Sequence, residues 1–198
     1  MKRPLAALTF ASLLLASSLH AQLSPVGITG TGSYNNSASL IIDGVTPPEY
    51  TGWTDSTNAF WQGFDTSFTI DLGAKFKLTG ISWSVDNNDS YTLETSLNGT
   101  SFNNLFTVTP SDGNVTWGMD TMTSFLGSDF VAAMAFAPVD ARYLRVAAVP
   151  GGDTLNAIGE VTAYGRVVGT AVPEPSTYGL FGAFALVGLA FWRRSRRA

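Results

Sequence analysis

Two apolar segments at the ends of the chain set the limits of what the rest can fold into. Lys2-Arg3 precedes an apolar run from Leu5 to Leu19, and an uncharged stretch from Thr177 to Trp192 is followed by Arg193, Arg194, Arg196 and Arg197. The first has the charged start and apolar body of a secretory signal peptide, with Ala21 as the cleavage residue and cleavage after Ser18 as the alternative. An uncleaved N-terminal anchor is the other reading of the same run, and under either the middle of the chain is exported. The second segment is 16 residues long, short of the roughly 20 that cross a bilayer core. Its arginines hold the far end on the cytoplasmic side. Just ahead of it stands Val172-Pro173-Glu174-Pro175, where the prolines lock φ and stop regular structure, so this segment should be extended, exposed and open to an enzyme.

The order Pro-Glu-Pro, apolar stretch, basic tail resembles the PEP-CTERM sorting signal of Gram-negative bacteria over Val172 to Ala198. That resemblance implies that Pro173, Glu174 and Pro175 are recognised by an exosortase, a membrane-embedded Cys-dependent enzyme. The exosortase then removes the helix and tail. A plain tail anchor with an incidental Pro-Glu-Pro is the alternative. The expected organisation is a signal peptide over 1–21, a folded domain over 22–168 and a sorting signal over 169–198, with a transmembrane helix at 177–192 and a basic tail at 193–197. The protein would sit transiently in the inner membrane through that helix before reaching the cell surface or extracellular matrix.

Between Gln22 and Pro175 the basic residues are Lys75, Lys77, Arg142, Arg145 and Arg166, against all 15 acidic residues of the chain, a formal charge of −10. Nucleic-acid affinity comes chiefly from Lys and Arg neutralising phosphates, so no nucleic-acid partner is expected. The single histidine, His20, falls in the leader, and the chain has no cysteine. Ser-His-Asp and Cys-His catalysis are thereby excluded, with most zinc sites and all disulfides. Stability must come from burial, for which a domain of this length suffices.

That domain reads as all-β. Period-two alternation is clear at Phe68–Leu72, Ile81–Val85 and Tyr91–Thr95, the mark of half-buried strands. Turn signals separate them at Asp43-Gly44, Leu72-Gly73, Asn87-Asn88-Asp89, Asn98-Gly99 and Asp112-Gly113. Asn98-Gly99 should close a hairpin between Tyr91–Leu97 and Phe102–Val108, and further strands are expected at Arg142–Val149 and Glu160–Arg166. No run has strong helical periodicity, although Ser128–Phe136 has room for one short helix. Many short strands with such turns indicate a β-sandwich or jelly roll.

Five segments in order resemble the discoidin domain, also called the coagulation-factor type C or galactose-binding-like domain. They are Ala38–Gly44 with Trp53, Phe68–Gly73 with Leu78–Ile81, Tyr91–Phe102, Ala141–Val146 and Ile158–Gly165. Phe102 stands where the family carries Trp, and the disulfide of animal members is absent. The resemblance implies a discoidin-like jelly-roll β-sandwich. It also implies one structural calcium ion, with Asp43 and Glu160 as carboxylate ligands; the turn-rich 43–54 segment has carbonyls to add, and Thr51 a hydroxyl. An Asp-Gly turn and a surface Glu are the plain alternative; calcium itself takes carboxylates with backbone carbonyls from an irregular loop. Arg142 and Arg145 resemble the family's structural arginines.

Ligand sites on such folds use end loops, an exposed aromatic and a few polar groups. Trp61, Trp117 and Asn88 are the candidates, with a place in the core as the alternative for each of the two tryptophans, whereas Trp53 and Trp83 are expected in the core. Three functions remain open: an exported binding or matrix protein that contacts extracellular polysaccharide, a structural surface protein, or an enzyme working on glycans through a carboxylate pair such as Asp86 and Asp89. Discoidin modules of enzymes accompany a separate catalytic domain, and this chain has no room for one, so a non-catalytic role is expected.

Overall fold

The computed structural model describes residues 21–150 and 153–169; both apolar terminal segments and the Pro-Glu-Pro motif lie outside them. Among the described residues eight strands make up the fold: β1 (Gly27–Thr31), β2 (Ala59–Gln62), β3 (Ser67–Asp86), β4 (Ser90–Ser96), β5 (Asn103–Val108), β6 (Met119–Thr123), β7 (Val139–Val149) and β8 (Leu155–Val167). Their order is β2-β8-β3-β7-β4-β5, with β1 and β6 also on β3. All pairings with a defined register are antiparallel.

β3 organises the domain. Leu72-Gly73, expected as a turn, instead interrupts one continuous 20-residue strand. Gly73 takes φ +82° and donates its N–H to Asp71 Oδ1 at 2.7 Å, and the register with β7 shifts between Asp71 and Phe76. A bulge of this kind bends a strand and increases its twist without ending it. Before the bulge β3 pairs with β1 and β7, and Phe68, Ile70 and Leu72 point inward. Beyond it Ser82–Asp86 pair with β6.

The bend folds the sheet over on itself. β2 and β4 are separated by three strands in the sheet order, yet the rings of Trp61 on β2 and Tyr91 on β4 meet edge to face at 6.4 Å. Trp83 on the second half of β3 likewise meets Phe106 on β5 at 5.0 Å. The core therefore lies between two facing layers filled by Phe68, Trp61, Tyr91, Trp83 and Phe106. Each such aromatic pair contributes about 0.5–1.5 kcal/mol beyond its buried area, which suits a domain with no disulfide.

The hairpin at Asn98-Gly99 forms as expected, with Gly99 at φ +74° and Ser96 Oγ accepting from the Asn98 and Gly99 N–H groups. Ser128–Phe136 holds only a 3-10 turn at Ala132–Met134, and Ala38–Ile42 forms a second one. β1, β2 and β6 have no counterpart in the sequence reading; each is at most five residues long. Arg142 makes a two-pronged pair with Asp71, both contacts 3.1 Å, and holds that carboxyl below the usual range. Arg145 pairs with Glu94 at 2.6 Å and lies 4.1 Å over the Phe102 ring. Both arginines are thus sheet-surface structure, and Phe102 keeps a cation-stacking role in the place of Trp.

Candidate functional site

Two places hold functional groups. The first is a cleft of about 230 Å³ where the start of the domain meets β8, lined by Gln22, Ser24, Asp43, Gly44, Glu160 and Thr162 among others. Asp43 follows the 3-10 turn Ala38–Ile42, and its Oδ1 accepts from Val45 N–H at 2.8 Å, which fixes the loop. Glu160 is buried; its two oxygens accept from Gly44 N–H at 3.0 Å and the Thr162 hydroxyl at 3.2 Å. Burial pushes its carboxyl up, these hydrogen bonds oppose that, and the Asp43 charge adds to the push. Two mutually repelling carboxylates in a cleft also lined by Gln22, Ser24 and Thr162 offer oxygens of the kind calcium takes.

Thr51, named with them from the sequence, is placed elsewhere. Its hydroxyl donates to Pro48 O at 2.6 Å and its carbonyl accepts from Met119 N–H. Among the described residues no group of three or more His, Cys, Asp or Glu side chains is placed to hold a metal ion, and the cleft offers two carboxylates without a third.

The second place is the end of the sandwich formed by the 86–90 turn, the 109–118 loop and the residues leading into β8. Trp117 is 55% exposed there and packs against Tyr50, itself 48% exposed, with ring centroids 5.6 Å apart. The loops are pinned beneath the rings. Tyr50 N–H donates to Met119 O and Met119 N–H to Thr51 O, while Gly118 O accepts from Asn87 N–H at 2.9 Å. Gly118 has φ +72°, and a Cβ there would meet Thr51 O at 2.7 Å, so only glycine permits this junction. Tyr50 holds φ +62°, an outlier for a bulky residue. Such strain persists where surrounding structure enforces it, and it concentrates at binding sites.

Under this platform lie carboxyl groups. Asp86 and Asp89 are each 1% exposed, and Asp86 Oδ1 and Asp89 Oδ2 have no hydrogen-bond partner among the described residues. Burial, with the charges of Asp89 and Asp153 added, pushes Asp86 up to about 7, against a hydrogen bond from Gly118 N–H. Burial and Asp153 push Asp89 to about 6. A pair so enclosed has no open face toward a polymer.

Of the other sequence candidates, Asn88 sits in the 86–90 turn and donates to Asp153 Oδ2 at 3.1 Å, at the same end as Trp117. Trp61 is corrected: it is 1% exposed on β2 between Phe68 and Tyr91, because Ala59–Gln62 is a strand and Trp61 takes its inward position. Trp83 is buried as expected, and Trp53 is half-buried, edge-on to Phe60. Tyr50 escaped the sequence reading. Its only signal was an aromatic between Pro47-Pro48 and Gly52, a segment bound to leave regular structure.

Residues 171–197 match the family model of the PEP-CTERM protein-sorting motif. The chain carries a PEP-CTERM sorting motif. The motif covers Pro173, Glu174 and Pro175 and the apolar stretch 177–192; among the described residues no helix is long and apolar enough to cross a membrane. No curated protein matches the sequence.

In fold, the domain is similar to many solved structures, among them the following three. One is a truncated AlyQ with CBM32 and alginate lyase domains (18% identity, TM-score 0.54), covered over 75% of this chain and 34% of that one. Another is the CBM32 of AlyQ in complex with 4,5-unsaturated mannuronic acid (17%, 0.52), covered over 73% and 98%. The third is a fucolectin from the serum of Morone saxatilis, the striped bass (16%, 0.52), covered over 73% and 48%. The chain thus spans about a third of the two-domain AlyQ structure and nearly all of the isolated module. The described domain has the discoidin-like fold of these CBM32 modules, an all-β sandwich as its sequence predicts.

Proposed function

We propose that this protein is an exported, non-catalytic glycan-binding protein of the cell envelope or extracellular matrix, delivered by exosortase-type processing of its PEP-CTERM signal. The observation that carries the binding half is the exposed Tyr50–Trp117 pair, held by a strained backbone at the loop end of the sandwich. Two tilted aromatic faces provide a stacking surface for a sugar ring, and Asn88 beside them supplies amide hydrogen bonds. Burial of the Asp86–Asp89 pair supports a non-catalytic role, since glycoside hydrolysis needs both carboxyl groups at the scissile bond. A glycan array probed with the purified chain tests the reading. Trp117→Ala should lose the retained glycans while its melting midpoint stays within about 2 °C of the parent, the behaviour of an exposed side chain. Unchanged glycan retention in that variant overturns the site.

The sorting half has its own test. Replacing Pro173, Glu174 and Pro175 by Ala should leave a full-length, membrane-retained form, read by fractionation and immunoblot. Release at the parental rate would make the motif incidental.

Calcium in the Asp43–Glu160 cleft belongs to the same reading: one structural ion held by these two carboxylates and loop oxygens, joining the start of the domain to β8. An ion that binds only the folded state adds about 2.7 kcal/mol at 100-fold above Kd. That is several degrees of melting midpoint for a domain of about this size. Calcium should raise the midpoint more than equal magnesium, which screens the acidic surface similarly but suits an irregular site poorly. Glu160→Gln should erase the difference; equal shifts from both ions would remove the site.

A further inference from the structure

The charges around the aromatic platform are all of one sign. Asp86 and Asp89 lie beneath the Trp117–Gly118 junction, Asp120 follows on β6, Asp112 stands in the same loop, Asp153 abuts Asp89, and Glu49 precedes Tyr50. The described cationic side chains are Lys75, Lys77, Arg142, Arg145 and Arg166. Measured along their strands, Lys77 is nine residues from Asp86, Arg142 and Arg145 are seven and four from Val149, and Arg166 is eleven from Leu155. At about 3.3 Å per residue these separations run from roughly 13 to 36 Å. The screening length at physiological salt is about 8 Å. Both lysines are also held by Asp140, Arg142 by Asp71 and Arg145 by Glu94. No described cation is therefore positioned to meet a carboxylate or sulfate on a bound sugar, and the buried carboxyls act through a low-dielectric interior that screens them little.

Resting on the platform proposed above, we infer that this site takes uncharged glycan residues and rejects those bearing uronate or sulfate groups. Stacking on Tyr50 and Trp117 is indifferent to charge, whereas the nearby acidic side chains repel an approaching anion, with the buried Asp86 and Asp89 joining them only once they ionise. Like-charge juxtaposition is a strong discriminator even where it adds nothing to the affinity for the accepted ligand.

The test is affinity electrophoresis of the purified full chain through gels containing a neutral polysaccharide panel (galactan, mannan, β-glucan) or an acidic one (alginate, polygalacturonate, chondroitin sulfate). The panels are run at about 20 and about 300 mM salt. Retardation by at least one neutral glycan is expected, nearly independent of salt and lost in Trp117→Ala. Acidic glycans should retard the chain at least tenfold less at low salt, with the gap narrowing at high salt. Glu49 is exposed, so Glu49→Lys should fold and should gain retention on the acidic panel. Trp117-dependent retention of an acidic glycan at low salt overturns the charge selection and leaves the platform standing. If Trp117→Ala changes retention on neither panel, or the parent is retained by neither, the platform reading itself falls.

Discussion

Trp61→Ala is expected to cost the domain about 3–5 kcal/mol, the range for truncating a buried aromatic. Trp61 is 1% exposed and touches Phe68 and Tyr91 edge to face, at 5.5 and 6.4 Å. It is the contact through which β2 meets the layer of β4, so its loss opens a cavity between the two layers. The indole N–H has no acceptor among the described residues. Removing that unsatisfied donor returns part of the loss and places the expected value toward 3 kcal/mol. At roughly 2–5 °C per kcal/mol for a domain of this size, the melting midpoint should fall by about 6–15 °C. Denaturation followed by tryptophan fluorescence or calorimetry measures it. A change below about 0.5 kcal/mol would mean that Trp61 is a surface side chain after all.

The second large effect is a loss of stability as pH rises from about 5 to 8. Asp86, at about 7, and Asp89, at about 6, both lie above the ordinary carboxyl value of 3.8 that the unfolded chain restores. Between those limits the folded state binds more protons than the unfolded one, so stability falls with rising pH. The contribution is complete below about pH 4 and is lost as pH passes through the folded-state values. Glu160, also shifted upward, adds to the fall in the same sense, whereas Asp55, Asp71 and Asp140 are shifted downward, so their titration lies below pH 4 and leaves this window alone. One pKa unit corresponds to about 1.4 kcal/mol. Even half of the shift on Asp86 then amounts to about 2 kcal/mol, or roughly 4–10 °C of midpoint.

Asp86→Asn should remove most of this slope and melt higher than the parent at pH 8, because the amide carries no charge to desolvate or to set against Asp89 and Asp153. The groups that face Asp86 are Asp89, Asp153, Tyr91 and the Gly118 N–H, with no cation among them. A parental midpoint that is flat from pH 5 to 8, or an Asp86→Asn variant less stable than the parent at pH 8, would contradict the arrangement.

The fold was legible where side chains alternate with period two, since that pattern follows directly from the pleat. Phe68–Leu72, Ile81–Val85, Tyr91–Thr95, the Asn98-Gly99 turn and the two late strands all declared themselves this way. Gly73 shows the limit of such reading: Asp-Leu-Gly looks like the end of a strand, and only the pairing of β3 with β7 on both sides makes it a bulge. β1, β2 and β6 are too short to carry a period, and their sheet partners are what hold them extended. Trp61 was misplaced for that reason, because a four-residue strand offers no alternation from which an inward position can be read.

By itself the sequence determined the sorting motif, the absence of cysteine, the acidity of the stretch from Gln22 to Pro175, the all-β class and the identity of Asp43, Glu160, Trp117 and Asn88 as candidates. Those properties are local or additive: they belong to runs, counts and motifs. Only the tertiary structure decided that Asp43 and Glu160 share a cleft while Thr51 does not. It alone joined Trp117 to Tyr50, buried Asp86 and Asp89 beneath them, and left every described cation far from that end. The reason is physical. Contact between residues 67 or 117 positions apart is set by the bend of β3 and the closure of its sheet, which are cooperative outcomes of the whole core and are written in no single segment.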